Sequence, residues 1–420
     1  MVLKKVLRKA RIGKSVLKEQ GIIGFSIRSL QYIEKKRSKT AKLSDKKSIN
    51  TSALYDEVLF ADPSVPANKD WKGNSAKKSL TFNWLMPPPG KGSGGHMTLY
   101  RFIRYLELQG HICRIYLHNP GPYSTAEAVK AIMGNSFPIV KAEMQWLKQD
   151  EEMKPADGIF ATSWQTAYTV YASKVKAKKF YFVQDFEPFF YPVGSFSVLA
   201  ENTYKLGLRG ITAGGWLKKK LHDEFGMTTD SFWFGSDSEV YSLKNNEKRK
   251  EIVFYARPTT DRRAFEIGIL TLDLFHRQHP EYTINFIGWD VSEYAIPFPY
   301  KNLGILEPEE LNELYNRCAA SLVISLTNMS LLPLELLSSG CVPVVTDGDN
   351  NRLVSDNGYI AYSSNDPQSL AKKLSAIVTM KDLESYAKKA SASVSGLNWD
   401  ESGDHFVKIV EASTKASGDK

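Results

Sequence analysis

Leu80-Thr81-Phe82-Asn83-Trp84-Leu85-Met86 runs into Pro87-Pro88-Pro89 and then Gly90-Lys91-Gly92-Ser93-Gly94-Gly95. The first seven residues read as a buried strand, and the glycines as a loop that opens a helix. Leu99, Phe102, Ile103 and Leu106 then recur at the helical spacing, and Gly110 stops the helix before a second strand at Ile112–Leu117. The same alternation continues through apolar runs at Gly158–Ala161, Phe180–Val183, Gly210–Ala213 and Ser231–Phe234. Strands that alternate with helices make βα units and a parallel sheet.

A polar stretch, Lys244-Asn245-Asn246-Glu247-Lys248-Arg249-Lys250, interrupts this series and reads as a linker between domains. A second series begins at Ile252-Val253-Phe254-Tyr255. It continues with a helix at Phe265–Phe275, a strand at Thr283–Ile287, a helix at Glu309–Ala320 and a strand at Ser321–Ser325. A helix at Pro333–Ser339 and a strand at Val342–Val345 follow; Pro333 suits a first helical turn and Gly340 a stop. The expected architecture is α/β: two doubly wound, Rossmann-like domains facing across a cleft. At 420 residues the chain is long enough for two cores and an extension.

The extension is basic. Residues 1–50 hold 15 Lys and Arg against 3 Asp and Glu, a net of +12, whereas the remainder holds 40 against 43. Leu3, Val6, Leu7 and Ala10 share one helical face, with Lys4, Lys5, Arg8, Lys9 and Arg11 around the other. Such an arm can lie on an anionic membrane surface, or it can solubilise the chain while its apolar stripe docks on the body. The expected division is an arm and linker at 1–76, one domain at 77–242, a second at 243–396, and a last helix at 397–420 crossing back to the first.

Several function classes are excluded. A hydrophobic content of 42% with 21 Phe, 20 Tyr and 8 Trp excludes wholesale disorder. No apolar run reaches ~18 residues, the length a membrane-spanning helix needs. The N-terminus lacks the continuous apolar core and cleavage site of a secretory signal. Cys113, Cys318 and Cys341 are scattered, without metal-ligand spacing, as expected of buried thiols in a reducing, cytoplasmic compartment. A body of nearly balanced charge without a helix-turn-helix or RNA-binding signature argues against nucleic acid.

Four constellations can carry chemistry. Gly90, Gly92 and Gly95 fit Gly-x-Gly-x-x-Gly, whose bare N–H groups at a helix start suit a diphosphate. A dinucleotide site also needs an acid at the end of the second strand, which instead closes with Leu117-His118-Asn119. The loop is therefore read as facing phosphate or sugar, or as a plain connection, and His96 as a cleft residue or a helix-start residue. Arg257, Arg262 and Arg263 follow the first strand of the second domain, where open α/β sheets bind ligands. Cations there can clamp a diphosphate as it leaves, or form a solvated charge cluster. The stretch Thr327-Asn328-Met329-Ser330-Leu331-Leu332-Pro333-Leu334-Glu335 offers helix-start N–H groups to an anion. Glu335 can accept hydrogen bonds from a ribose diol, or be an ordinary helix acid. Asp347-Gly348-Asp349 sits in a turn and is not expected to hold a metal.

The Thr327–Glu335 stretch, with Gly340-Cys341-Val342-Pro343-Val344-Val345 after it, resembles the donor-binding signature of retaining GT-B glycosyltransferases of sequence family four. Arg257 and Arg262 have the five-residue spacing of that family's Arg and Lys. Phe182-Val183-Gln184-Asp185-Phe186-Glu187-Pro188-Phe189-Phe190-Tyr191-Pro192, Ala200-Glu201-Asn202-Thr203-Tyr204, Gly210-Ile211-Thr212-Ala213-Gly214 and Tyr255-Ala256-Arg257-Pro258 resemble more narrowly the WsaF-type rhamnosyltransferases. The resemblance extends from about Thr81 to Trp399, and Asn398-Trp399-Asp400 looks like the family's final helix start.

The resemblance implies transfer of a deoxysugar, L-rhamnose from dTDP-β-L-rhamnose, to a growing cell-surface glycan with retention and without a metal or other cofactor. It places the nucleotide on the C-terminal domain and the glycan or lipid-linked acceptor on the N-terminal one. Arg257 and Arg262 would stabilise the departing diphosphate and Glu335 would hold the ribose. Thr327, Asn328, Ser330, Leu331 and Leu332 would cradle phosphate and sugar. Gly94 and Gly95 would form the facing wall, and Asp185 and Glu187 would orient the acceptor or merely cap their loop. Thr327 stands where the family's first glutamate contacts the donor sugar, a loss shared by the rhamnosyl subgroup. The implied place is the cytoplasmic face of the cell membrane. A different class is kept beside this one: a membrane-tethered α/β scaffold without activity. A transferase of another sugar nucleotide is the nearer alternative.

Overall fold

The computed structural model describes residues 55–90, 93–119, 125–133, 137–148, 151–245 and 247–416. The basic arm at residues 1–50 lies outside the described residues, as do Lys91 and Gly92 of the glycine loop.

Two parallel sheets carry the fold. The first holds β1 (Thr81–Met86), β2 (Ile112–Leu117), β3 (Glu143–Trp146), β4 (Gly158–Ala161), β5 (Lys178–Val183), β6 (Arg209–Ala213) and β7 (Thr229–Phe232). Its spatial order is β3-β2-β1-β4-β5-β6-β7. The second holds β8 (Glu251–Tyr255), β9 (Thr283–Ile287), β10 (Lys301–Gly304), β11 (Cys318–Val323), β12 (Val342–Thr346) and β13 (Ala361–Ser363), in the order β10-β9-β8-β11-β12-β13. In both, the strand order reverses beside the first strand, leaving a crevice where ligands of doubly wound sheets bind.

The wholly buried strands β5, β11 and β12 show why these segments pair in parallel. With helices covering both faces, a parallel strand reads as a continuous apolar run. Tight packing also selects residue size. A methyl group on Gly158 of β4 would lie 2.7 Å from the Phe82 ring of β1.

The edge strands escape the sequence reading. β3, β10 and β13 are short and partly exposed, so no apolar run marks them. Two boundaries move as well. The helix expected over Glu309–Ala320 ends at Arg317, because Cys318-Ala319-Ala320 are taken into the buried strand β11 between β8 and β12. The strand expected at Ser231–Phe234 runs over Thr229–Phe232.

The chain crosses between the sheets twice. After β7 it enters the second sheet, and near Leu397 it returns to form the helix Trp399–Lys415. Asn398 caps that helix, its side chain accepting from the Glu401 N–H at 2.9 Å. Trp399, Phe406, Val407 and Val410 of this helix are buried in the first sheet's core. There Trp84 stacks on Phe160 at 4.0 Å, and Phe102 lies 4.6 Å from Phe406. Among the described residues no helix is long and apolar enough to cross a membrane.

Candidate functional site

Three arginines follow the carboxyl end of β8, and the loop after β5 brings one carboxylate, Asp185, to them. After β8 the chain turns through Arg257 and a 3-10 turn at Asp261–Arg263. The Arg257 guanidinium donates to the Gly288 carbonyl at 3.2 Å and lies 5.8 Å from both the Tyr255 and Trp289 rings. Gly288, with φ +92°, permits this approach: a methyl group there would meet the Tyr255 ring at 2.5 Å. The loops after β8 and β11 are joined through the backbone, the Leu326 N–H donating to the Arg262 carbonyl at 3.0 Å.

Arg262 reaches the other domain. Its guanidinium stacks on the Phe190 ring at 4.1 Å and its Nε donates to Asp185 Oδ2 at 3.1 Å. Thr327 Oγ1 donates to the same oxygen at 3.0 Å, and the Asn328 N–H donates to Oδ1 at 3.0 Å. The Asn328 side chain adds two more bonds across the cleft, to the carbonyls of Gln184 at 3.1 Å and Ala213 at 2.9 Å. Thr327 and Asn328 are buried.

Arg263, quoted in the sequence cluster but given no role, supports this loop from beneath. It donates to Ser325 Oγ at 2.7 Å, and Ser325 in turn donates to the Asn328 carbonyl at 2.9 Å. Burial pulls the Arg263 pKa down, partly offset by Asp185; Arg262 and Arg257 lower it further. Loop-to-loop support of this kind leaves no periodic signal in the sequence.

Glu335 lies in the helix Leu332–Ser338. Loss of water pushes its carboxyl up to about 8, with repulsion from Asp237 adding and Arg101 opposing. Arg101 grips Asp237 at 2.9 and 2.8 Å and lies 4.2 Å above the Trp399 ring. The Ser236 and Ser338 hydroxyls, 2.6 Å apart, tie this first crossing to the end of the Glu335 helix. Ser330 and Leu331 are half-buried at the helix start, and Leu332 is at the limit of burial.

On the facing wall, Gly94 and Gly95 begin the helix Gly94–Leu108, and the Gly95 carbonyl accepts from Gln184 at 3.0 Å. His96 turns inward, its Nδ1 2.8 Å from Ser93 Oγ and its Nε2 2.9 Å from the Pro87 carbonyl. Since a carbonyl can only accept, Nε2 carries the proton; burial lowers the pKa of the ring.

Asp185 and Glu187 both spend their carboxylate oxygens on partners within the protein. Asp185 is saturated by Arg262, Thr327, Asn328 and the Phe186 N–H. Glu187 is buried, its oxygens accepting from the Trp164 N–H at 2.9 Å and the Tyr181 hydroxyl at 2.7 Å. Burial lifts its carboxyl to about 7. The Asn328 N–H is engaged by the Asp185 carboxylate. Asp347 pairs with Arg352, and among the described residues no His, Cys, Asp and Glu group is arranged to hold a metal.

Residues 250–375, which span this arginine cluster, the Thr327 loop and Glu335, match the family of the WsaF C-terminal domain. The second sheet is WsaF-like. The chain is also similar to the O-antigen biosynthesis protein RfbC of Myxococcus xanthus, 29% identical over 289 residues. That match covers 66% of this chain but only 22% of the larger protein. Among solved structures, Anabaena HepE in complex with UDP superposes with a TM-score of 0.60 at 13% identity, covering 79% of this chain and all of that one. A glycosyltransferase of Rickettsia africae gives 0.56 at 12%, covering 81% and 100%. These likenesses establish the fold, which is GT-B.

Proposed function

We propose that this chain is a glycosyltransferase of cell-surface polysaccharide synthesis that binds a nucleotide-diphosphate sugar in its cleft. The observation that carries this is the cluster of Arg257, Arg262 and Arg263 at the strand reversal of the WsaF-like sheet. Arg262 is paired with Asp185, whereas Arg257 has no carboxylate partner among the described residues, and that uncompensated cation suits a diphosphate. The relatives agree, since RfbC is an O-antigen biosynthesis protein and HepE was solved with UDP.

In this reading Arg257 and Arg262 stabilise the negative charge that grows on the diphosphate as the glycosidic bond breaks. Glu335 accepts from the 3′-hydroxyl of the nucleotide's deoxyribose. With no carboxylate free beside Thr327 among the described residues to form a covalent intermediate, the acceptor hydroxyl attacks the face the diphosphate leaves. A leaving phosphate oxygen takes its proton, and the configuration is retained. The donor is dTDP-β-L-rhamnose and no metal is needed. The acceptor is a lipid-linked glycan at the cytoplasmic face of the membrane, reached through the basic arm at residues 1–50.

Incubating the purified protein with a panel of activated sugars and a short glycan acceptor tests the reading. Rhamnosyl transfer from the dTDP donor, undiminished by EDTA, is expected. Transfer only from a different donor overturns the sugar assignment, and absence of both transfer and saturable nucleotide binding leaves the scaffold class. Deleting residues 1–50 should abolish sedimentation with anionic vesicles while sparing transfer to a soluble acceptor.

A further inference from the structure

The groups expected to receive the donor's phosphates already hold an anion that belongs to the chain itself. Asp185 Oδ2 accepts from Arg262 Nε at 3.1 Å and Thr327 Oγ1 at 3.0 Å; Oδ1 accepts from the Asn328 N–H at 3.0 Å. A guanidinium, a hydroxyl and a backbone N–H converging from the strand ends of a doubly wound sheet are the donors a phosphate oxygen would use. We propose that Asp185 is an intramolecular stand-in for donor phosphate, a latch that closes the cleft and competes with the nucleotide for Arg262 and Asn328. The inference rests on the reading of the arginine cluster as the diphosphate site.

Three features favour a latch over a simple structural ion pair. Asp185 belongs to the loop after β5 of the first sheet, whereas its three side-chain and loop donors belong to the second. The contact therefore forms only while the sheets are together. Next, Asp185 cannot drift as part of a loose loop. Phe186 is buried, 4.8 Å from Phe189, 5.6 Å from Tyr204 and 6.0 Å from Phe225 by ring centroids, and Glu187 is pinned to Trp164 and Tyr181. Finally, in the closed contact the buried Asn328 Oδ1 has no hydrogen-bond partner among the described residues. An orphaned buried acceptor disfavours the closed contact, so a competing anion has less to overcome.

A nucleotide diphosphate must then either rotate the carboxylate away or part the sheets before both cationic side chains reach it. The apparent affinity of the unmodified chain is lowered by the closed fraction, as for any ligand that binds a minor state. Removing the charge of Asp185 while keeping its shape lifts that competition. Phe190, stacked on Arg262 at 4.1 Å, is a second element of the same closure and also comes from the first sheet.

Calorimetric titration of the full chain with dTDP, and separately with UDP, tests the latch. Asp185→Asn should bind dTDP more tightly, on the order of tenfold, the scale of one charge-assisted hydrogen bond released from competition. Phe190→Leu removes the ring stacked on Arg262 and takes no donor from a phosphate, so it should shift affinity in the same direction by a smaller factor. It also serves if Asp185→Asn does not fold. Saturable binding by the unmodified chain with equal or weaker binding by both variants overturns the latch and leaves the nucleotide site standing. Absence of saturable binding by the unmodified chain and by both variants overturns the diphosphate reading, and the latch with it.

Discussion

Arg101, on the first helix of the N-terminal sheet, holds Asp237, in the first crossing to the second sheet, through two parallel bonds of 2.9 and 2.8 Å. The guanidinium also covers the ring of Trp399, where the chain crosses back. One side chain thus fastens both crossings. Arg101→Ala should lower the unfolding free energy by about 2 kcal/mol, since it leaves a partly buried carboxylate unpaired and removes a cation–aromatic contact. Urea denaturation followed by tryptophan fluorescence measures this, and an unchanged midpoint would contradict it.

Arg257 donates only one recorded bond, to the Gly288 carbonyl, and has no carboxylate partner among the described residues. Its charge is therefore available to a ligand. Arg257→Ala should lower kcat by roughly 10²–10³, the cost of removing one donor aimed at developing charge. Steady-state rates against a soluble acceptor decide the matter. Wild-type turnover in this variant would remove Arg257 from the diphosphate clamp.

Glu335 supplies a pH signature. With its carboxyl raised to about 8, the unliganded protein holds it largely protonated at pH 6.5. The 3′-hydroxyl of the dTDP deoxyribose donates, so it prefers the carboxylate. Affinity for dTDP should rise with pH up to about 8, by at most about tenfold per pH unit for one proton released. Titrations at pH 6, 7, 8 and 9 should show this slope in the native protein and none in Glu335→Gln.

Glu187 gives a signature in stability instead. Its carboxyl titrates near 7 when folded and near about 4.3 when unfolded, so the folded chain binds the extra proton between those values. Its contribution is complete below pH 4 and is lost as pH rises through 7. Chemical denaturation at pH 5.5 and 8 should therefore show a fall in stability attributable to this group. Glu187→Gln, neutral throughout, should show a smaller fall.

How much of this was legible beforehand depends on the kind of signal each feature leaves. Thr81–Met86, Ile112–Leu117 and Thr283–Ile287 are dense apolar runs, and they form strands within a residue of where they were expected. Lys301-Asn302-Leu303-Gly304 forms an edge strand through backbone pairing with β9, which composition does not record. The site divides in the same way. The place of Arg257 and Arg262 just beyond β8 was legible, because Ile252–Tyr255 is a dense apolar run. The partnership of Asp185 with Arg262 was not, because 77 residues separate them and only the approach of the two sheets brings them together.

The return helix has a consequence for how the chain is made. Phe406 packs against Trp84, Phe102, Phe160 and Phe182, so the first sheet's core has a vacancy until residues 399–415 arrive. On the ribosome those residues emerge only after the whole second sheet has been synthesised. The sheet begun first is thus completed last, and its apolar face must wait exposed while the second sheet folds. Interrupting translation shortly before Asn398 would strand a nascent chain whose second sheet has all its strands while its first still lacks part of its interior.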